Sequence, residues 1–281
     1  MVISADQSNW QGVLQLDFGY SNDKTQLDRA HVQAPLKVQR SFYPEGSHVC
    51  HIVTLHTAGG IVGGDRLSTQ ITLQPHAHAL LTSAAAGKIY RSNGAIAKQT
   101  TQLTVAAGAW LEWLPQETIV FDGAQYDQYT RVELAETALW LGWEITRFGR
   151  TARGEQFNSG VWRSRTEVWQ GDRPLWIDSQ QLHGGSDSLT SPHGLGGCAV
   201  VGSFALVGRS ISSELIETAR SLYHSTPSTS AASIGVTRLM GGMLCRYRGN
   251  STAEARRWFV AVWDLLRRQV GDRPACPPRV W

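Results

Sequence analysis

The sequence predicts a mainly β protein, a layered scaffold of many strands (β-sandwich or β-helix-like) with two α-helices near the C-terminus. Three observations predict it. Apolar residues recur with period two along most of the chain, the pattern of half-buried strands. Strands and helices do not alternate at the spacing of βαβ units, which disfavours a doubly wound nucleotide fold. Two late segments carry helical periodicity with start and stop signals.

In "VLQLDFGY", Leu14, Leu16 and Phe18 alternate with Gln15 and Asp17. "HVCHIVTLH" and "QITLQPHAHALLTS" are β-rich stretches bounded by glycine or proline. "TTQLTVAAGAWLEWLPQETIVF" reads as two strands, interrupted near Gly108 and Pro115. "RVELAETALWLGWEITRFGR" supports two readings. Val132, Ala135 and Leu139 fit a helix face, whereas Val132 and Leu134 fit a strand; Trp140, Gly142 and Trp143 weigh against the helix. Residues 161–169 and 174–182 form the arms of a hairpin turning at "QGDR". "GCAVVGSFALVG" and "SIGVTRLMGGMLCRYRG" add late strands.

The first helix, "SSELIETARSLYHS", starts at Ser212 or Ser213. It has Glu214 and Glu217 early, Arg220 and His224 late, and an apolar stripe of Leu215, Ala219 and Leu222. The second opens with a capping box from Ser251 to Glu254. Ala255, Phe259, Val262 and Leu266 line one face, Arg267 and Arg268 occupy the last turn, and Gly271 and Pro274 stop it. No fixed-period repeat, low-complexity tract or linker is visible, so residues 1–281 read as one domain. Residues 182–197 form a long glycine- and serine-rich loop.

With 42% hydrophobic and 17% charged residues, the 281-residue chain is globular in composition. A net charge of +3 with scattered basic residues gives no footprint for nucleic acid. Cys50, Cys198, Cys245 and Cys276 are far apart, without a C-x-x-C pair; free thiols in a reducing cytosol are expected rather than disulfides or a zinc knuckle. The first twenty residues lack the basic and apolar regions of a signal peptide, and no apolar run reaches the ~20 residues that span a bilayer. The expectation is a soluble, cytoplasmic protein without a membrane partner.

The densest glycine run is "TAGGIVGGDR", with Gly59, Gly60, Gly63 and Gly64. Gly59 and Gly64 have the spacing of a phosphate loop, but Asp65 stands where that loop needs its lysine, and "LSTQITL" continues as a strand rather than a helix. Two readings remain: glycines serving a tight reversal, or Gly63 and Gly64 clearing side chains so that Asp65 faces a channel or a partner. His48, Cys50 and His56 would share one strand face, and His76 and His78 another; neither set has a third ligand at tight spacing, so hydrogen-bonded histidines are the expectation and no tight metal site is assigned. No G-x-S-x-G elbow is present and no catalytic residue is assigned. Glu112, Glu117, Asp122, Glu144 and Glu155 lie in or beside apolar, tryptophan-rich stretches, with Arg91, Arg147, Arg150 and Arg153 as available partners. They read either as structural ion pairs or as a polar path through an apolar body. Eleven tryptophans suit core packing or a large binding face.

Together, "GGIVGGD" (59–65), "GKIYRS" (87–92), "GAWLEWLPQETIVFDGA" (108–124), "GRTARGEQF" (149–157), "LMGGMLCRYRG" (239–249) and "PRVW" (278–281) are collinear and span nearly the whole chain. In these motifs the chain resembles the urease accessory protein family UreD, also called UreH. The resemblance implies a non-catalytic scaffold for nickel delivery to apo-urease. Such a scaffold binds UreF directly and the GTPase UreG through it, and an internal tunnel has been proposed to carry nickel in transit. By matched motif it implies Asp65, Glu117 and Glu155 as carboxylates near such a path, with Arg91 and Arg150 as charge partners or clamps. The chain departs from the family at "LTSAAAGK" (81–88), where a "TTQ"-like stretch is usual, and residues 182–197 match loosely. The alternative reading is a β-sandwich carbohydrate-binding module using exposed tryptophans.

Overall fold

A computed structural model describes residues 10–224 and 232–281. The signal-peptide reading rests partly on residues 1–9, and Ser225 of the first helical segment also lies outside the described residues.

In chain order the strands are β1 (Gln11–Ser21), β2 (Lys24–Gln33), β3 (Leu36–Val38), β4 (Val49–His56), β5 (Arg66–Leu73), β6 (His78–Ser83), β7 (Gly87–Ile89), β8 (Ala97–Val105) and β9 (Trp110–Trp113). They continue with β10 (Thr118–Val120), β11 (Gln125–Leu134), β12 (Leu139–Phe148), β13 (Val161–Gln170), β14 (Arg173–His183) and β15 (Val200–Val207). Helix α1 (Ser213–His224) precedes β16 (Ser233–Leu239) and β17 (Gly242–Gly249), and α2 (Thr252–Gly271) follows them.

Two sheets face each other. The first runs β14-β13-β11-β8-β5-β1-β2, and the second β16-β17-β15-β12-β9-β6-β4-β3. From β4 to β13 the chain alternates between them, and each return adds a strand parallel to the last: β5, β8, β11 and β13 on one side, β4, β6, β9 and β12 on the other. The result is a wound, β-helix-like sandwich, closed at its edges by antiparallel pairs such as β1–β2 and β13–β14. Aligned positions Val49, His78, Trp110 and Leu139 are 29, 32 and 29 residues apart. The coil therefore repeats without a fixed period, which hides it from a search for one.

The ambiguous 131–150 segment is the end of β11, a turn and β12. Its Leu141, Trp143 and Ile145 are buried against α2, so packing on both faces explains an apolar density that also suited a helix. The stripe of α1 is turned by one residue from the expected one: Ile216, Ala219 and Tyr223 are buried, while Leu215 and Leu222 are only partly so. In α2 the cap is as predicted, Ser251 Oγ accepting the Glu254 N–H. Arg267 departs from the expected dipole-complementing role. It is fully buried and bridges Glu45 and Glu112. Burial alone would raise the Glu112 acid, but Arg267 and His78 hold it well below the carboxylate range. This buried cation ties α2 to the strands beneath it.

Six of the eleven tryptophans are core, and Trp113, Trp169, Trp176 and Trp281 are half-buried. Trp258 and Trp263 are inaccessible, Trp110, Trp140, Trp143 and Trp162 are buried, and only Trp10 is exposed. Three apolar clusters result: one under the helices, one between the sheets around Phe18, Leu103 and Leu134, and one at the far end around Ile89, Tyr126 and Phe148.

A polar seam between the sheets as the candidate functional site

Inward-facing positions of β8 read Ala97, Gln99, Thr101, Leu103 and Val105. Those of β11 read Tyr126, Gln128, Thr130, Val132 and Leu134, and those of β13 open Trp162, Ser164, Thr166 and Val168. Each strand thus places two polar side chains between apolar ends. Parallel registry aligns them into two rows: Thr69–Thr101–Thr130–Thr166 and Gln99–Gln128–Ser164. The threonines are 2–9% exposed. A sandwich interior is normally apolar at these positions, so the rows form a polar seam across the molecule.

From the opposite sheet, β12 puts Glu144 into this seam. A Cβ at Gly142, two residues earlier on the same face, would come within 2.3 Å of the Trp140 ring, so glycine is what lets Trp140 lie beside Glu144. Gln128 Nε2 donates to the Glu144 carboxylate at 2.8 Å, and Ser164 Oγ lies 3.0 and 3.1 Å from its two oxygens. The Tyr126 hydroxyl lies 2.9 and 3.1 Å from the side-chain oxygens of Gln99 and Gln128 and shares its one hydrogen between them. Burial raises the Glu144 carboxyl to about 7, with Asp178 adding to the rise and Ser164, Gln128 and Arg246 opposing it. Beyond Glu144, Arg246 binds Asp178 at 2.7 Å and Ser203 at 2.6 Å, ending the seam in an ion pair.

The seam is not filled. One cavity of about 80 Å³ is bordered by Glu144, Gln128, Thr130 and Asp178. A second of about 310 Å³ is bordered by Thr69, His56, Gly59 and Lys88. Gln99, Trp113, Pro115, Gln116 and Thr118 border both, so the two spaces adjoin. Space of this size lined by amides, hydroxyls and a carboxylate suits water and small cations. His56 borders the larger space with neither ring nitrogen hydrogen-bonded, and burial lowers its pKa.

Asp65 is inaccessible, and its two oxygens accept the backbone N–H groups of Trp10 and Val62 at 3.0 and 2.9 Å. It therefore closes the Val62–Asp65 turn and fastens the start of β1. Gly59 and Gly64 have φ of +76° and +94°, while Gly60 and Gly63 press against Tyr90 and Ser92. Glu117 pairs with Arg256 of α2. Glu155 pairs with Arg150, which lowers its pKa, and also accepts the Asp122 N–H. Arg91 pairs with Asp122, whose other oxygen accepts the N–H groups of Asn158 and Ser159.

The structure thus joins Arg150 to Glu155 but leaves Asp65, Glu117 and Glu155 apart. Among the described residues no group of three His, Cys, Asp or Glu side chains is placed to hold a metal ion. None of the three carboxylates borders the two interior spaces. What unites four of the sequence motifs is one edge of the coil. Ile61 pairs with Ile89 and β7 with β10; the Gly149 N–H donates to the Val120 carbonyl, and the Asp122 N–H to Glu155. Glu144 carries the seam together with Gln99, Gln128 and Ser164, and the latter three have no motif signal. Their signal was parity: they stand where the strand alternation calls for apolar residues.

Two histidine expectations also resolve. His78 lies 3.2 Å from Glu112 and stacks on Trp110. His76 sits in a turn at φ +66°, not on a strand face with His78. No helix among the described residues is long and apolar enough to cross a membrane.

A family model described as UreD urease accessory protein matches residues 11–281. A protein named urease accessory protein UreD from Nostoc punctiforme is 58% identical over 272 residues, 97% of this chain and 96% of its own length. One of the same name from Acaryochloris marina is 55% identical over 277 residues, covering 99% and 97% of the two chains. Another from Synechocystis is 45% identical over 257 residues, covering 92% and 95%.

Proposed function

The chain belongs to the UreD urease accessory protein family, and from that premise we propose that it is a non-catalytic, cytoplasmic scaffold for nickel insertion into apo-urease. In this reading it binds UreF directly and UreG through UreF, docks on apo-urease, and lets nickel pass along the polar seam between its sheets. The cargo is held only in transit, so no resident cofactor is required.

The observation that supports transit is Glu144 in its unfilled, polar surroundings. A carboxyl raised to about 7 is partly protonated at neutral pH. A divalent cation arriving there displaces a proton and gains one anionic ligand, with amide and hydroxyl oxygens nearby. Nickel accepts oxygen ligands, and passage requires sites weak enough to leave. The Arg246–Asp178 ion pair, with Ser203, bounds the seam at one end.

Asp65, Glu117 and Glu155 support this role from outside the cavity. Asp65 and Glu155 hold the turns of the motif edge, and Glu117 anchors α2 through Arg256. The carbohydrate-binding alternative is weakened, because six of the eleven tryptophans are buried and only Trp10 is exposed.

The test is co-purification of the chain with UreF, UreG and apo-urease, followed by nickel-dependent activation. Retention of all partners with activation supports the reading. A chain that ignores UreF and leaves activation unchanged overturns it.

A further inference from the structure

Between β9 and β10 the second sheet is interrupted at Leu114–Glu117, and between β6 and β7 at Ala84–Ala86. Both interruptions border the larger cavity, and Pro115 and Gln116 border the smaller one as well. At these breaks the regular ladder thins to a few bonds, the Leu114 N–H to the Leu81 carbonyl, the Gly87 N–H to the Glu117 carbonyl and the Gln116 N–H to Ser83 Oγ, so the wall between the polar seam and the outer face of the sheet is less regular here.

Residues 277–281 lie across that stretch from outside. The Trp281 indole N–H donates to Thr82 Oγ1 at 2.8 Å. Its ring lies 5.0 Å from Trp143 and 5.6 Å from Trp263, while Trp143 donates its own N–H to the Pro115 carbonyl. The Val280 carbonyl accepts from Gln116 Nε2 at 2.9 Å, and the Gln116 backbone N–H is fixed on Ser83. Trp281 therefore sits over the Leu114–Gln116 break, between Thr82 on one side and Trp143 on the other.

The segment is held at two ends and little between. Upstream, the Pro274 carbonyl accepts from Arg267 and the Ala275 N–H donates to Asp264. Downstream are the Gln116 and Thr82 contacts. Between these anchors, Pro277 borders open space on both sides: a mainly apolar hollow of about 500 Å³ towards Phe42 and Tyr43, and a shallower one towards Arg256 and Val260. Consecutive prolines stiffen the span.

We propose that residues 277–281 are a strap that closes the polar seam at the β9–β10 break, and that lifting it from Gln116 and Thr82 opens a side mouth into the cavity. The downstream anchor consists of two hydrogen bonds and two ring contacts, whereas the upstream one includes the fully buried Arg267. Opening is thus a local motion about Pro274–Cys276 that leaves α2 in place. The inference concerns access to the cavity and stands whether or not nickel is what passes through it.

The test uses the full chain with Thr130→Cys as an interior reporter and Cys198→Ser and Cys276→Ser to silence the more accessible thiols. The probe is a small cationic methanethiosulfonate. With the strap intact, labelling is expected to be slow. Trp281→Ala is expected to speed it at least tenfold at a temperature where circular dichroism shows the fold unchanged. Gln116→Leu and Thr82→Val each remove one anchoring bond, keep Trp281, and are expected to give intermediate rates; they carry the test if Trp281→Ala does not fold. Equal rates in folded variants and parent would overturn the strap. Fast labelling of the parent would also overturn it, since the seam would then be open elsewhere.

Discussion

Gln128 Nε2 lies 2.8 Å from the Glu144 carboxylate, linking the two sheets across a space that the apolar core leaves open. Gln128 is on β11 and Glu144 on β12, consecutive strands that the winding sends to opposite sheets. The pair shows how the coil builds a polar interior: β8, β11 and β13 each deliver two polar side chains to one wall, and β12 delivers Glu144 to the other.

The first prediction concerns pH. Glu144 has its folded pKa raised from 4.5 to about 7. Between those values the folded state holds a proton that the unfolded state has lost, so this group makes stability fall as pH rises through the window, then level off. Glu144→Gln should abolish that slope and be more stable than the parent at pH 8 by about 1–3 kcal/mol. Thermal melts at pH 5 and pH 8 check it; identical slopes would show that the carboxyl is not raised.

The second concerns the buried Arg267. Removing one member of a buried, hydrogen-bonded charge set leaves its partners uncompensated, at about 3–5 kcal/mol. Arg267→Met should lose that much in denaturant melts, while Arg268→Met, whose partner Asp264 is at the surface, should lose under about 1 kcal/mol. Glu112 works in the opposite direction to Glu144. Its pKa is lowered, so its contribution is present above the unfolded carboxylate value and is lost as pH falls through the folded one.

A third prediction separates turn closure from transit at Asp65. The buried Asp65 carboxylate holds two backbone N–H groups, which implies that Asp65→Ala costs about 2 kcal/mol. Asp65→Asn keeps one acceptor oxygen and should recover part of that loss. If both variants melt as the parent does, the turn does not depend on this carboxylate. Lower urease activation by Asp65→Ala with stability and complex assembly intact would assign Asp65 to the path itself.

The fourth is that the motif-edge ion pair is worth little by itself. Arg150 and Glu155 are partly exposed, and a double-mutant cycle should give a coupling below about 1 kcal/mol. Loss of the Glu155 bond to the Asp122 N–H should loosen residues 149–160, visible as faster amide exchange there.

Much of the architecture was legible because period-two alternation survives in strands such as β1, where Leu14, Leu16 and Phe18 are buried as expected. The hairpin around Gly171 was equally plain, and the breaks near Gly108 and Pro115 fall where expected, although they divide the stretch read as two strands into three, β8, β9 and β10. The winding was not. Parallel pairing across 29 to 32 residues leaves no local mark, and unequal steps conceal the repeat. Among site residues, glycine motifs drew the eye to Asp65, yet a carboxylate beside tight turns is also the usual acceptor for their N–H groups. Gln128, Ser164 and Thr130 belong to no motif. They are recognisable only once three strands are aligned and the same two inward positions prove polar in each.

The proposed passage of nickel by Glu144 is tested most directly by nickel-dependent urease activation with complexes carrying Glu144→Ala, with partner retention and melting temperature recorded on the same preparations. The expected result is a folded protein that still assembles with UreF, UreG and apo-urease but activates it severalfold less at limiting nickel. Full activation by an assembled Glu144→Ala complex at limiting nickel would contradict it.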